Sequence, residues 1–228
     1  MKHWHVIALC ALGLCASARA GEPPHYTFAP QPPGTIVQSQ LVYLAGEAMH
    51  SQWRAVLSKG LLGTGNGTSF YQWFLSFYAI DDTVYRLKYR SPNSSVPFAR
   101  VTKTQGAPLW FPVQAAKIAG TGELMGPGAQ QLVVQSHETG ADCGMARVDV
   151  FYYGSAMQSV MTTFSVENFC DLTASIVHSA HGDVLQLTGP YYAANAPLCC
   201  PTKTRVTSTL RFNNGTWTEQ PHYFKILK

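Results

Sequence analysis

The chain has 228 residues, of which 46% are hydrophobic and only 12% charged, and its formal net charge is +4. So slight and scattered a positive balance excludes the clustered basic face that a nucleic-acid partner requires. No stretch after the first twenty residues approaches the ~18 apolar residues of a membrane helix, so no membrane span is expected.

The chain opens with Met1 and Lys2, continues apolar from Val6 to Cys15, and closes that run with Ala18-Arg19-Ala20 before Gly21. A short basic start, an apolar core too brief for a bilayer and a small-x-small cleavage site predict a signal peptide over residues 1–20 and a periplasmic or secreted product. Leu9 and Leu14, which precede Cys10 and Cys15, are too large for a lipid-attachment site. Residues 21–45 form a Pro-rich arm carrying Pro23, Pro24, Pro30, Pro32 and Pro33, which fix φ and remove backbone donors. Residues 46–228 then constitute a single disulfide-bonded, β-rich domain.

Within that domain Met49, Trp53, Val56 and Leu57 recur at i, i+4, i+7 and i+8, and predict a short amphipathic helix over residues 46–58. The glycines between Lys59 and Thr68 lack the GK[ST] order of a phosphate cradle and read as a flexible loop. From Phe70 to Ile80 aromatic residues occupy both alternate faces, Asp81-Asp82 interrupts, and Val84 to Arg90 alternates cleanly, which predicts a β-hairpin. Tyr85, Leu87 and Tyr89 should face the core and Arg86, Lys88 and Arg90 the solvent. Further strands are predicted at 132–135, 148–153, 175–179, 184–188, 204–212 and 216–218, with turns at His181-Gly182-Asp183 and Asn213-Asn214-Gly215. The whole reads as mainly β: an antiparallel sandwich, barrel-like sheet or partial propeller with one short N-terminal helix.

Loss of the leader leaves Cys143, Cys170, Cys199 and Cys200, an even set that in an oxidising compartment predicts two disulfides of open connectivity. His178 and His181, with His137 and Glu138 on a neighbouring segment, can be drawn as a metal site. Strand residues three apart point to opposite faces, however, so turn histidines are the plainer reading, and no cofactor is implied. Glu138, Asp142, Asp149, Glu167 and Asp171 supply no spacing that fixes a catalytic carboxylate pair. No G-x-S-x-G elbow occurs, and no catalytic residue is assigned. Tyr152, Tyr153, Tyr191, Tyr192 and Trp217 are candidate binding aromatics, able to stack a sugar or grip a partner if they reach the surface.

From Gly120 onward come a Gly-rich turn, a Val-rich strand, the loop Asp142-Cys143-Gly144, a Tyr-rich strand and Cys199-Cys200-Pro201 ahead of a hairpin closed by Trp217. This half of the chain resembles LppP/LprE-type bacterial lipoproteins and related uncharacterised exported envelope proteins. The resemblance implies an exported β domain without a known activity, and the missing lipid-attachment cysteine departs from it. The sequence thus points to an exported non-enzymatic module that binds a protein or glycan of the cell envelope. The alternatives are a metal-assisted hydrolase built on the His/Glu cluster and a structural component of an envelope assembly.

Overall fold

The computed structural model describes residues 26–44, 52–65, 68–81, 83–90, 101–104, 107–110, 113–138, 144–154, 159–180, 182–193, 197 and 201–227. The leader, the start of the Pro-rich arm, Cys143, Cys199, Cys200 and His181 lie outside these residues.

The first sheet contains β1 (Thr27–Ala29), β2 (Thr35–Tyr43), β3 (Gln52–Gly65), β4 (Thr68–Asp81) and β5 (Val84–Arg90), in the order β1-β5-β4-β3-β2. A two-strand ribbon, β6 (Val101–Thr104) with β7 (Ala107–Trp110), follows. The middle sheet combines β8 (Val113–Gly122), β9 (Gln131–Glu138), β10 (Met145–Gly154) and β11 (Ser159–Phe169) with β16 (Lys225–Leu227), in the order β16-β11-β10-β9-β8. The outer sheet runs β12 (Thr173–Val177), β13 (Val184–Tyr191), β14 (Lys203–Asn213) and β15 (Thr216–Gln220), in chain order. Pairing is antiparallel except where β1 lies parallel to β5. The predicted β class is what the chain adopts, as a layered, sandwich-like stack.

The middle sheet buries apolar residues on both faces, so that β9 carries Leu132, Val133 and Val134 in succession and β10 carries Val150 and Phe151. Leu132, Val134 and Phe151 pack with Ala55, Leu57, Leu75 and Phe77 of the first sheet. On the other face Val133, Val148, Val150 and Phe164 pack with Leu172, Leu185, Leu187 and Leu210 of the outer sheet. Period-two alternation therefore sends successive residues of one strand into two different cores. Where the edges of the first and middle sheets meet, glutamine amides stand in for a strand. Gln38 donates through Nε2 to the Ile118 carbonyl (3.0 Å) and accepts from the Ile118 N–H at Oε1 (2.8 Å). Gln130 closes the same seam, its N–H donating to the Tyr43 carbonyl (2.8 Å) and its Oε1 accepting from the Tyr43 N–H (3.1 Å).

Three sequence expectations need correction. Among the described residues there is no helix: 52–58 of the expected helix belong to β3, and 46–51 lie outside them. Trp53 and Leu57 also satisfy a period of two, and Trp53, Ala55 and Leu57 all point into the core, so short apolar spacing did not distinguish the two periods. Residues 59–65 of the expected glycine loop belong to β3 instead, with Leu61 opposite Tyr71 and Gly65 opposite Thr68, and 66–67 lie outside the described residues. A register shift at Phe77/Tyr78 divides the face expected of β5. It sends Tyr89 to the main core but Tyr85 and Leu87 to the opposite side, against Tyr78 and Phe28. Arg86 and Lys88 are exposed, whereas Arg90 is half-buried and donates to Ser76 Oγ (3.1 Å), Tyr78 Oη (3.3 Å) and the Gln31 carbonyl (3.4 Å).

The described part of the Pro-rich arm is built into the fold. Phe28 packs its ring on Tyr78 (4.8 Å) and Tyr85 (5.1 Å), covering the back of the first sheet. At the entry to β2, Gly34 has φ +67°, and a Cβ there would lie 2.3 Å from the Lys59 carbonyl oxygen.

Candidate functional site: the polar face of the outer sheet

The five candidate aromatics are half-buried, and the fold does not gather them on one surface. Tyr153 packs on Trp53 (5.5 Å) between the first and middle sheets. Tyr191 packs on Tyr223 (5.2 Å), and Trp217 on Phe164 (4.3 Å) and Phe212 (5.3 Å), between the middle and outer sheets. Trp217 also donates from Nε1 to Thr163 Oγ1 (3.0 Å). Tyr192 sets its ring edge-on to Phe169 (5.9 Å) and donates its hydroxyl to Cys170 Sγ (3.4 Å). Tyr152 occupies β10 opposite Met161.

The candidate metal ligands also stay apart. His137 Nε2 faces the Cys170 carbonyl at 3.0 Å, three residues before β12 begins, while His178 follows the other end of β12 and pairs through Nδ1 with Asp183 Oδ1 (2.8 Å). Five extended residues hold the two histidines well beyond any shared coordination shell. The Glu138 side chain and His181 lie outside the described residues, and among the described residues no three His, Cys, Asp or Glu side chains assemble as ligands. Cys170 is disulfide-bonded, and its N–H donates to the Gly144 carbonyl (3.0 Å).

Two of the scattered acids do come together, on the face of the middle sheet that looks toward the first. Asp149 is fully buried and accepts from Arg147 Nε at both oxygens (2.9 and 3.0 Å) and from the Ser165 hydroxyl. Arg147 Nη1 also stands 3.6 Å from Glu167 Oε1. Burial pushes the Asp149 carboxyl above its ordinary range, with Arg147 and Ser165 opposing the shift. Every oxygen of this carboxylate is committed to a donor and none opens onto a cleft, so the cluster is suited to locking β10 to β11 rather than to moving protons.

The surface that stands out lies on the far side of the outer sheet. Alternation turns Val206, Ser208 and Leu210 inward, and leaves Thr207, Thr209, Arg211 and Asn213 of β14 facing out. Register sets Gln186 and Gln220 on either side of Thr209, Thr188 beside Thr207 and Thr218 beside Arg211. The face is therefore a grid of hydroxyls and amides, with Thr188 and Thr207 hydrogen-bonded to each other (3.1 Å). A cleft of about 300 Å³ lies on it, lined by Thr209, Arg211, Asn213, Thr218 and Gln220. A wider cleft of about 570 Å³ adjoins it through Arg211 and Asn213, and is lined beyond them by Glu123, Gly126, Pro127, Ser179 and Asp183. The Asn213-Asn214-Gly215 turn at its rim has Asn214 at φ +50° and Gly215 at φ +78°, the positive pair that a two-residue hairpin demands.

Sequence reasoning placed β14 and its turn but searched the aromatics for a binding surface. The signal for this face was the polar half of the alternation, Thr207-x-Thr209-x-Arg211-x-Asn213. No family model matches the chain, and no curated protein or solved structure matches it either.

Proposed function

We propose that the protein is an exported, non-enzymatic module that binds a glycan of the cell envelope or its surroundings on the polar face of the outer sheet. The observation that carries this reading is the small cleft lined entirely by hydroxyl, amide and guanidinium side chains. A sugar presents hydroxyls that both donate and accept, and Thr, Asn and Gln side chains also do both, whereas Lys, Arg and ionised carboxylates do only one. Their strand positions hold these groups on a rigid scaffold, so little ordering is needed on binding. The saturated state of Asp149 and the separation of His137 from His178 favour binding over hydrolysis.

The test is binding of the purified protein to a panel of immobilised polysaccharides, peptidoglycan included, beside a variant carrying Thr209→Ala, Thr218→Ala and Gln220→Ala. These side chains are on the surface, so the fold should be kept. Three lost hydrogen bonds at ~1 kcal/mol each predict roughly a hundredfold weaker binding. A variant that binds as well as the parent, or a parent that binds no member of the panel, overturns the proposal.

A further inference from the structure

We infer that the glycan taken by this face is acidic, with its carboxylate seated on Arg211 in the small cleft; the inference rests on the glycan-binding reading above. Arg211 is exposed on β14 at the junction of the two clefts. Neither it nor Arg205, which is exposed six residues earlier on the same strand, forms an ion pair among the described residues. Elsewhere the exposed Arg86 pairs with Asp81 and the half-buried Arg147 with Asp149 and Glu167. The outer sheet is arranged differently: no exposed position described on β12 to β15 is Asp or Glu, and two are Arg.

The neighbouring carboxylates define where an anion can sit. Glu123 and Asp183 line the wider cleft, and Asp183 is already occupied by His178 Nδ1 (2.8 Å) and by the Glu123 N–H at Oδ2 (2.8 Å). A carboxylated sugar over the wider cleft would face Glu123. Over the small cleft it meets no carboxylate at all. There the planar guanidinium of Arg211 can receive both oxygens of a carboxylate, a geometry that a lysine ammonium cannot reproduce. Thr209, Thr218, Asn213 and Gln220 surround that point and supply donors and acceptors for the hydroxyls of the same sugar. Arg205 lies ~20 Å further along β14 at strand rise, so a chain laid along the strand carries a later carboxylate toward a second cation.

The experiment compares polygalacturonate with the same polymer after its carboxyls have been reduced to neutral galactose units. Wild-type protein, Arg211→Gln and Arg211→Lys are titrated with each by calorimetry at low and at physiological salt. Binding of polygalacturonate is expected to be at least about tenfold tighter than that of the reduced polymer, the scale of one charge-assisted hydrogen-bond pair. Arg211→Gln should abolish the difference, and Arg211→Lys should restore only part of it. Equal binding of the two polymers by wild type, or a preference that survives Arg211→Gln, overturns the acidic ligand and leaves the glycan reading intact. Failure of wild type to bind either polymer also overturns the acidic ligand. The glycan reading falls with it only if the wider panel is negative too.

Discussion

Replacing Arg147 by Met tests the polar cluster inside the stack. Methionine keeps the apolar stem and removes the guanidinium that donates to both oxygens of Asp149. Breaking a buried pair from one side typically costs ~3–5 kcal/mol. The Arg147 side chain keeps 20% exposure, so the lower end applies, about 3 kcal/mol. For a chain of this size that is a fall in Tm of roughly 6–12 °C. The loss should also depend on pH. A carboxyl whose folded pKa is raised holds its proton more tightly in the native than in the unfolded state. Stability is then greatest at or below the ordinary aspartate range and declines as pH rises through the window up to the raised value. Removing Arg147, the charge that opposes the shift, extends that decline to higher pH, at a slope of at most about 1.4 kcal/mol per pH unit. Thermal melts followed by circular dichroism from about pH 5 to about pH 8 read both effects, and Arg147→Met/Asp149→Asn should flatten the profile. A loss below about 1 kcal/mol, or one equal across that range, would refute Arg147 as the counter-charge of a buried carboxylate.

Gly34→Ala should destabilise by several kcal/mol in denaturant titration, since a positive φ and a 2.3 Å approach to a backbone oxygen leave its methyl nowhere to go; an effect under about 1 kcal/mol would contradict this geometry. Gln38→Leu should cost ~2 kcal/mol, because it strands the Ile118 N–H and carbonyl at the seam of the two sheets, and hydrogen exchange at Ile118 should quicken. Trp217→Phe should cost about 1 kcal/mol through loss of the bond to Thr163 and leave polysaccharide binding unchanged, because this ring lies beneath the outer sheet rather than on its face. Loss of binding without loss of fold would instead return the aromatics to the site.

Much of the β pattern was legible because a strand with one apolar face declares itself locally. The hairpin at Asp81, the strand β14 and the Asn213-Asn214-Gly215 turn all depend on neighbours within a few residues, and all are found as read. The segment at Trp53 was not legible, since apolar residues at 53, 56 and 57 fit a helix, and only pairing with β2 and β4 selects the strand. Sequence likewise could not foresee that Phe77 and Tyr78 would straddle a register shift, which turns Leu87 and Tyr89 to opposite sides.

By itself, the sequence determined the class of structure and the polar character of one strand face, because period-two alternation and turn chemistry are local. The tertiary structure decided that the middle sheet would be covered on both sides, which consumes the aromatic residues in two cores. It also decided that Gln186, Thr209, Arg211, Thr218 and Gln220 would share one surface, because residues on three separate strands become neighbours only when the strands are set in register.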